Sequence, residues 1–167
     1  SGVISISGSK NATLPILAAT ILTDKSLTLR NIPLVQDVYT MINLLKFIGL
    51  EIKISKRKNT LNISNNKKLK TIAPYNLLKT MRAGVLVLGP MLAKYKKAKV
   101  SLPGGCAIGA RPVNLHLFAL EKLGAKIKIK NGYIYASAKN GLKGASIKFP
   151  SISVGATENA ILAAVSA

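Results

Sequence analysis

The chain has 167 residues, 49% of them hydrophobic, with 25 Lys and Arg against 5 Asp and Glu for a formal charge of +20. That balance describes a globular chain of one domain, or a compact piece of a larger protein. It contains no run near the ~18 apolar residues of a membrane-spanning helix and no signal-peptide order in Ser1 to Lys10, so a cytoplasmic location without a membrane partner is expected. The lysines are spread rather than clustered and Trp is absent, so a solvated basic surface is the expectation over a specific nucleic-acid face.

Ser7-Gly-Ser-Lys-Asn11 opens the first element, the nearly all-apolar stretch KNATLPILAATIL from Lys10. Such a stretch is a buried helix. Gly and Ser before a helix start, with a lysine beside them, make an anion site, although an N-cap followed by a solvated lysine explains the same residues. Val38 to Ile54 then reads as an amphipathic helix closed by Gly49, whose freedom suits a left-handed C-cap, and as the alternating strand EIKI. A turn leads to a second strand at Leu61-Asn-Ile-Ser. The Lys- and Asn-rich run Ser55 to Lys70 is surface loop plus that short strand, not a domain boundary.

A second apolar helix, RAGVLVLGPMLAK, begins at Arg82. A charge at a buried helix start needs a partner. With five acids in the chain, that partner is either a structural carboxylate or a ligand carboxylate or phosphate. The loop Leu102-Pro-Gly-Gly-Cys-Ala-Ile-Gly-Ala-Arg-Pro112 follows, with the chain's one cysteine among three glycines and two prolines. A lone thiol forms no internal disulfide or multi-cysteine metal site, and no cofactor is expected. Arg111 near Cys106 favours the thiolate, so the thiol is either reactive or a packed small hydrophobe. Val113 to Ile129 is a second amphipathic helix and strand. It carries His116, the one histidine, for which a solvated or helix-packing role is expected. Asn131-Gly132 turns the next hairpin into Tyr133-Ile-Tyr-Ala. Ser153-Val-Gly-Ala-Thr157 opens a third apolar helix, ENAILAAVSA from Glu158.

These elements recur. Leu45 and Leu120, Gly49 and Gly124, Ile52 and Ile127, and Ile54 and Ile129 are each 75 positions apart. The expected unit is a strand, a buried helix, a strand, an exposed helix and a hairpin. This gives units of about 1–72, 73–146 and an incomplete 147–167, all within one truncated domain. The fold class is α/β, or α+β by some conventions, with helices inside and sheets outside.

Four stretches carry a resemblance: Ser9-Lys-Asn-Ala-x-Leu-Pro-Ile16, Lys79-Thr-Met-Arg-Ala83, Pro103-Gly-Gly-Cys-x-Ile-Gly-Ala-Arg-Pro-Val113 and Ser153-Val-Gly-Ala-Thr157. In order and approximate spacing they resemble the signatures of the UDP-N-acetylglucosamine enolpyruvyl transferases, along essentially the whole chain. The cysteine loop is the most specific of them; the shikimate-pathway enolpyruvyl transferases share the fold but lack that motif. The resemblance implies an inside-out α/β barrel of βαβαββ units, of which this chain supplies just over two. It also implies transfer of enolpyruvyl from phosphoenolpyruvate to the 3-hydroxyl of UDP-N-acetylglucosamine, with release of phosphate. Cys106 is then the general acid and covalent-adduct residue, open to alkylation by fosfomycin. Lys10, Asn11 and Arg111 hold phosphoenolpyruvate, with Asn11 also within reach of the sugar. Arg82, Arg111, Pro112, Val113, Asn114, Leu115, Ser151, Ile152, Ser153, Val154 and Gly155 line the nucleotide-sugar site.

The chain departs from the family at two positions. Asn114 stands where an aspartate is usual, which keeps hydrogen bonding to uracil but removes a charge. Ser151 stands where many members have lysine, a contact that Lys148 could supply. The family's catalytic aspartate and the arginines of its facing domain fall beyond Ala167. The oligomeric state is open. The competing readings are another enolpyruvyl transferase, such as the shikimate-pathway enzyme, and a basic nucleic-acid-binding module.

Overall fold

The structure, a computed structural model, describes residues 1–4, 6–65, 68–104 and 113–167. Helix α1, Lys10–Ala19, starts at Ser9, whose Oγ accepts the Ala12 N–H at 3.4 Å and so satisfies one of the donors that a helix start leaves over. Its Leu14, Leu17 and Ala18 are buried. After the short strand β1, Leu27–Leu29, comes α2, Gln36–Ile48, which buries Val38, Met41, Ile42, Leu44, Leu45 and Ile48 along one stripe. It ends at Gly49, where φ is 126° and a side chain would be strained. Strands β2, Glu51–Ser55, and β3, Thr60–Ser64, form the expected hairpin.

The first sheet has the order β1-β3-β2 and is antiparallel throughout. Its register sets Leu27 and Ile52 on either side of Ile63, and Leu29 and Ile54 on either side of Leu61, so the apolar positions fall in rows. A second sheet joins β4 (Ile72–Ala73), β5 (Lys97–Ser101), β6 (Lys126–Lys130) and β7 (Tyr133–Ser137) in the order β4-β5-β7-β6. Only β4 and β5 run parallel there. Between these strands lie α3, Tyr75–Leu78, a 3-10 turn over Arg82–Val87, α4, Leu88–Tyr95, and α5, Asn114–Lys122. Helix α6, Val154–Ala164, follows the second sheet.

Three expectations change. The anticipated first strand is not formed by the described residues of 1–9: Val3, Ile4 and Ile6 are 98%, 86% and 81% exposed, and an extended segment without a neighbouring strand has no ladder to join. The second apolar helix is a 3-10 turn followed by α4. Gly84 and Gly89 weaken an α-helix there, and Pro90 lacks the N–H that an interior position donates, so it is accommodated in the first turn of α4. The third apolar helix begins at Val154 rather than Glu158, because Ser153 caps it by accepting the Ala156 N–H at 3.3 Å.

The helices supply the interior. Leu17, Leu45, Leu88, Met91 and Leu92 are fully buried in one continuous core that the sheets cover. Helix α6 packs on both α4 and α5. The α4–α6 approach is close: a Cβ on Gly89 would lie 2.6 Å from the backbone oxygen of Asn159, so no larger residue fits without separating the helices. Among the described residues no helix is long and apolar enough to cross a membrane.

Candidate functional site

An open cleft of about 300 Å³ lies where the start of the 3-10 turn, the start of α5 and the start of α6 converge. Arg82, Val85, Pro103, Val113, His116, Ser153, Gly155 and Glu158 border it. Three segments far apart in sequence therefore bring together an arginine, the capped first turn of a helix, an imidazole and a carboxyl. The first amides of α6, those of Val154 and Gly155, lie outside the intrahelical ladder and carry the positive end of the helix dipole. With the Arg82 guanidinium this is an environment for an anion.

Of the residues read from sequence as nucleotide-sugar ligands, Arg82, Val113, Ser153 and Gly155 border this cleft. Asn114 and Leu115 begin α5 beside it, and Val154 begins α6 with 71% exposure. Ser151 and Ile152 are exposed in the approach to α6, Ile152 fully so. Lys10 and Asn11 are exposed at the start of α1, away from the cleft lining. Lys10 Nζ is ion-paired with Asp37 Oδ2 at 2.9 Å, so the amine expected on phosphoenolpyruvate is held by the first turn of α2. Cys106, Arg111 and Pro112 lie outside the described residues.

The residues that sequence reasoning did not connect are His116, Asn159 and Glu158. Asn159 is fully buried on α6 and spends all its hydrogen-bonding groups. Its Oδ1 accepts the Gly89 N–H at 2.8 Å, while its Nδ2 donates to the Val85 carbonyl at 3.3 Å and meets His116 Nδ1 at 3.2 Å. The Gly89 N–H can only donate and the Val85 carbonyl can only accept, so the amide has one orientation. His116 is then neutral at Nδ1 and carries its proton on Nε2. Burial, followed by the nearby Arg82 charge, pushes the His116 pKa down to about 4, in keeping with a neutral ring. Burial also raises the Glu158 carboxyl above its ordinary value. The available signal for Asn159 was a lone amide in the otherwise apolar run ENAILAAVSA; nothing local pointed to its partners.

A sequence profile described as EPSP synthase (3-phosphoshikimate 1-carboxyvinyltransferase) matches residues 1–167. The proteins named UDP-N-acetylglucosamine 1-carboxyvinyltransferase in Pelagibacter ubique and Endomicrobium trichonymphae are 63% and 56% identical to it, each over 98% of this chain. The chain spans 39% of the length of either relative. Among solved structures, the enolpyruvyl transferase NikO from Streptomyces tendae aligns with a TM-score of 0.80 at 15% identity, covering 98% of this chain and 38% of that one. An EPSP synthase from Acinetobacter baumannii aligns at 0.75 with 16% identity, covering 99% and 38%. These two likenesses show the fold, a mixed α/β architecture shared by enolpyruvyl transferases. By its full-length match to the profile, the chain belongs to the EPSP synthase (3-phosphoshikimate 1-carboxyvinyltransferase) family.

Proposed function

We propose that this chain forms part of a UDP-N-acetylglucosamine 1-carboxyvinyltransferase, which moves enolpyruvyl from phosphoenolpyruvate to the sugar 3-hydroxyl and releases phosphate in cell-wall synthesis in the cytoplasm. The observation that carries the choice of substrate is the 63% identity to a relative of that name, reaching across the residues that border the cleft. The cleft supports it physically: an arginine and the first turn of α6 favour a diphosphate, and Val113 with Pro103 offers apolar surface beside them.

In this reading the sugar oxygen adds to C2 of phosphoenolpyruvate while its methylene carbon gains a proton from Cys106. The tetrahedral adduct then loses phosphate and that methyl group gives a proton back. Lys10 and Arg111 hold the transferring anion, and the ion pair with Asp37 positions the Lys10 amine until the anion arrives. Arg82, Val113, Asn114, Leu115, Ser153, Val154 and Gly155, with Pro112, Ser151 and Ile152, contact the nucleotide sugar. The repeat units of about 1–72, 73–146 and an incomplete 147–167 belong to the same proposal. Groups that remove the hydroxyl proton and close over the substrates come from outside this chain.

The test is phosphate release by a full-length transferase carrying these residues, supplied with phosphoenolpyruvate and either UDP-N-acetylglucosamine or shikimate 3-phosphate. Release with the first alone is expected. Release with shikimate 3-phosphate alone assigns the family's other reaction and refutes the proposal.

A further inference from the structure

We propose that His116 is a specificity-determining contact in the cleft: Asn159 locks its tautomer, and its Nε2–H donates to a phosphate oxygen of the bound nucleotide. This inference rests on the nucleotide-sugar reading above and adds a ligand group that the sequence had assigned to solvent or helix packing.

The lock is built from backbone. Gly89 N–H and Val85 C=O fix the direction of the Asn159 amide, and that amide reaches His116 Nδ1 as a donor. The proton of a neutral imidazole so held must sit on Nε2, the opposite edge of the ring. That edge lies against the first turn of α6: Nε2 and Cε1 are 3.6 and 3.4 Å from where a Gly155 side chain would begin. Glycine at 155 sets no side chain against that edge, and His116 borders the cleft together with Gly155, Ser153 and Arg82.

The device also separates two kinds of recognition. Arg82 supplies charge, which attracts any anion, whereas a neutral N–H in a fixed direction rewards an acceptor at one position only. Among the described residues, Arg82 and Glu158 are the charged groups that line the cleft with His116, and burial raises the carboxyl's pKa. Since the imidazole stays neutral at physiological pH, its contribution to binding should not vary between pH 6 and 8.

The experiment uses the 167-residue chain and UDP as the probe, read by nitrogen and proton NMR of the single histidine. The expected result is an unprotonated Nδ1 and a protonated Nε2 at pH 7, with the Nε2–H resonance moving as UDP is added. His116→Phe, which keeps the ring and loses the donor, should weaken UDP at least about ten-fold, the order expected for a hydrogen bond to a charged group. His116→Gln, with an amide N–H near the Nε2 position, should restore part of that. A protonated Nδ1, or UDP binding to His116→Phe as tightly as to the parent, overturns the inference while leaving the nucleotide-sugar reading intact. If UDP fails to bind the parent chain, that reading falls and the inference with it. Should His116→Phe not fold, the tautomer and the Nε2–H response in the parent chain decide the question.

Discussion

The His116 to Asn159 contact spans 43 positions, and both side chains change meaning because of it. An imidazole in water titrates near 6.5, whereas here it titrates near 4. Between those values the unfolded chain binds the proton and the folded chain does not, so stability falls as pH is lowered through that window. We expect a loss of roughly 2 kcal/mol between pH 6.5 and 4, after discounting for solvent screening, and its absence in His116→Phe. Denaturant melts of both chains across this range measure it. The Glu158 contribution opposes it, because a raised carboxyl pKa stabilises the folded state at the acid end and must be subtracted through Glu158→Gln. Asn159→Leu should be harsher, costing about 2 to 4 kcal/mol in the same melts, since it strands the Gly89 N–H and Val85 carbonyl in the interior. By contrast Asp37→Ala should cost less than about 1 kcal/mol of stability, because the Lys10 pair is exposed; an effect on turnover far larger than that would come through the position of Lys10.

At the level of elements, the 3.6-residue period gave α2, and period-two alternation gave β2, β6 and β7, because those patterns are set by which face meets the core. Alternation was less informative at the sheet edge. Ile129 sits in phase with Ile127 yet is 54% exposed, since β6 is the outer strand and the core ends beneath it. In the sequence Ile4-Ser-Ile6 also alternates like a strand, but no strand among the described residues pairs with Ile4 or Ile6, which no local pattern could reveal. Likewise, uniform apolarity around Arg82 to Lys94 signalled burial correctly while hiding the change from 3-10 turn to α4. Gly89 explains why that helix is small-residue-rich: it is the contact point with α6. Gly89→Ala should lower stability by about 1 to 3 kcal/mol and also broaden the His116 resonances, because the clash falls on the residue that orients the ring.

For the whole molecule, the anion-favouring cleft was partly legible as separate pieces. Arg82, Val113, Ser153 and Gly155 were read as ligands from motifs, and the fold brings them to one place. Their convergence was not legible, since it depends on α4, α5 and α6 packing together. The chain spans 39% of the length of the Pelagibacter ubique relative, and the reaction proposed above draws further groups from outside it. The chain alone should therefore release no measurable phosphate from phosphoenolpyruvate: a positioned base contributes about a hundred- to ten-thousand-fold in rate, and the closing of a clamp adds to that. A rate comparable with a complete enzyme, abolished by Cys106→Ser, would mean that the site is self-contained. An amide NMR titration of the chain with UDP-N-acetylglucosamine and, separately, with shikimate 3-phosphate distinguishes the two substrates most directly. Saturable shifts at Arg82, Val113, His116 and Gly155 are expected with the nucleotide sugar and none with the shikimate ester; shifts there with the ester alone, or no shifts with either ligand, would refute the nucleotide-sugar assignment.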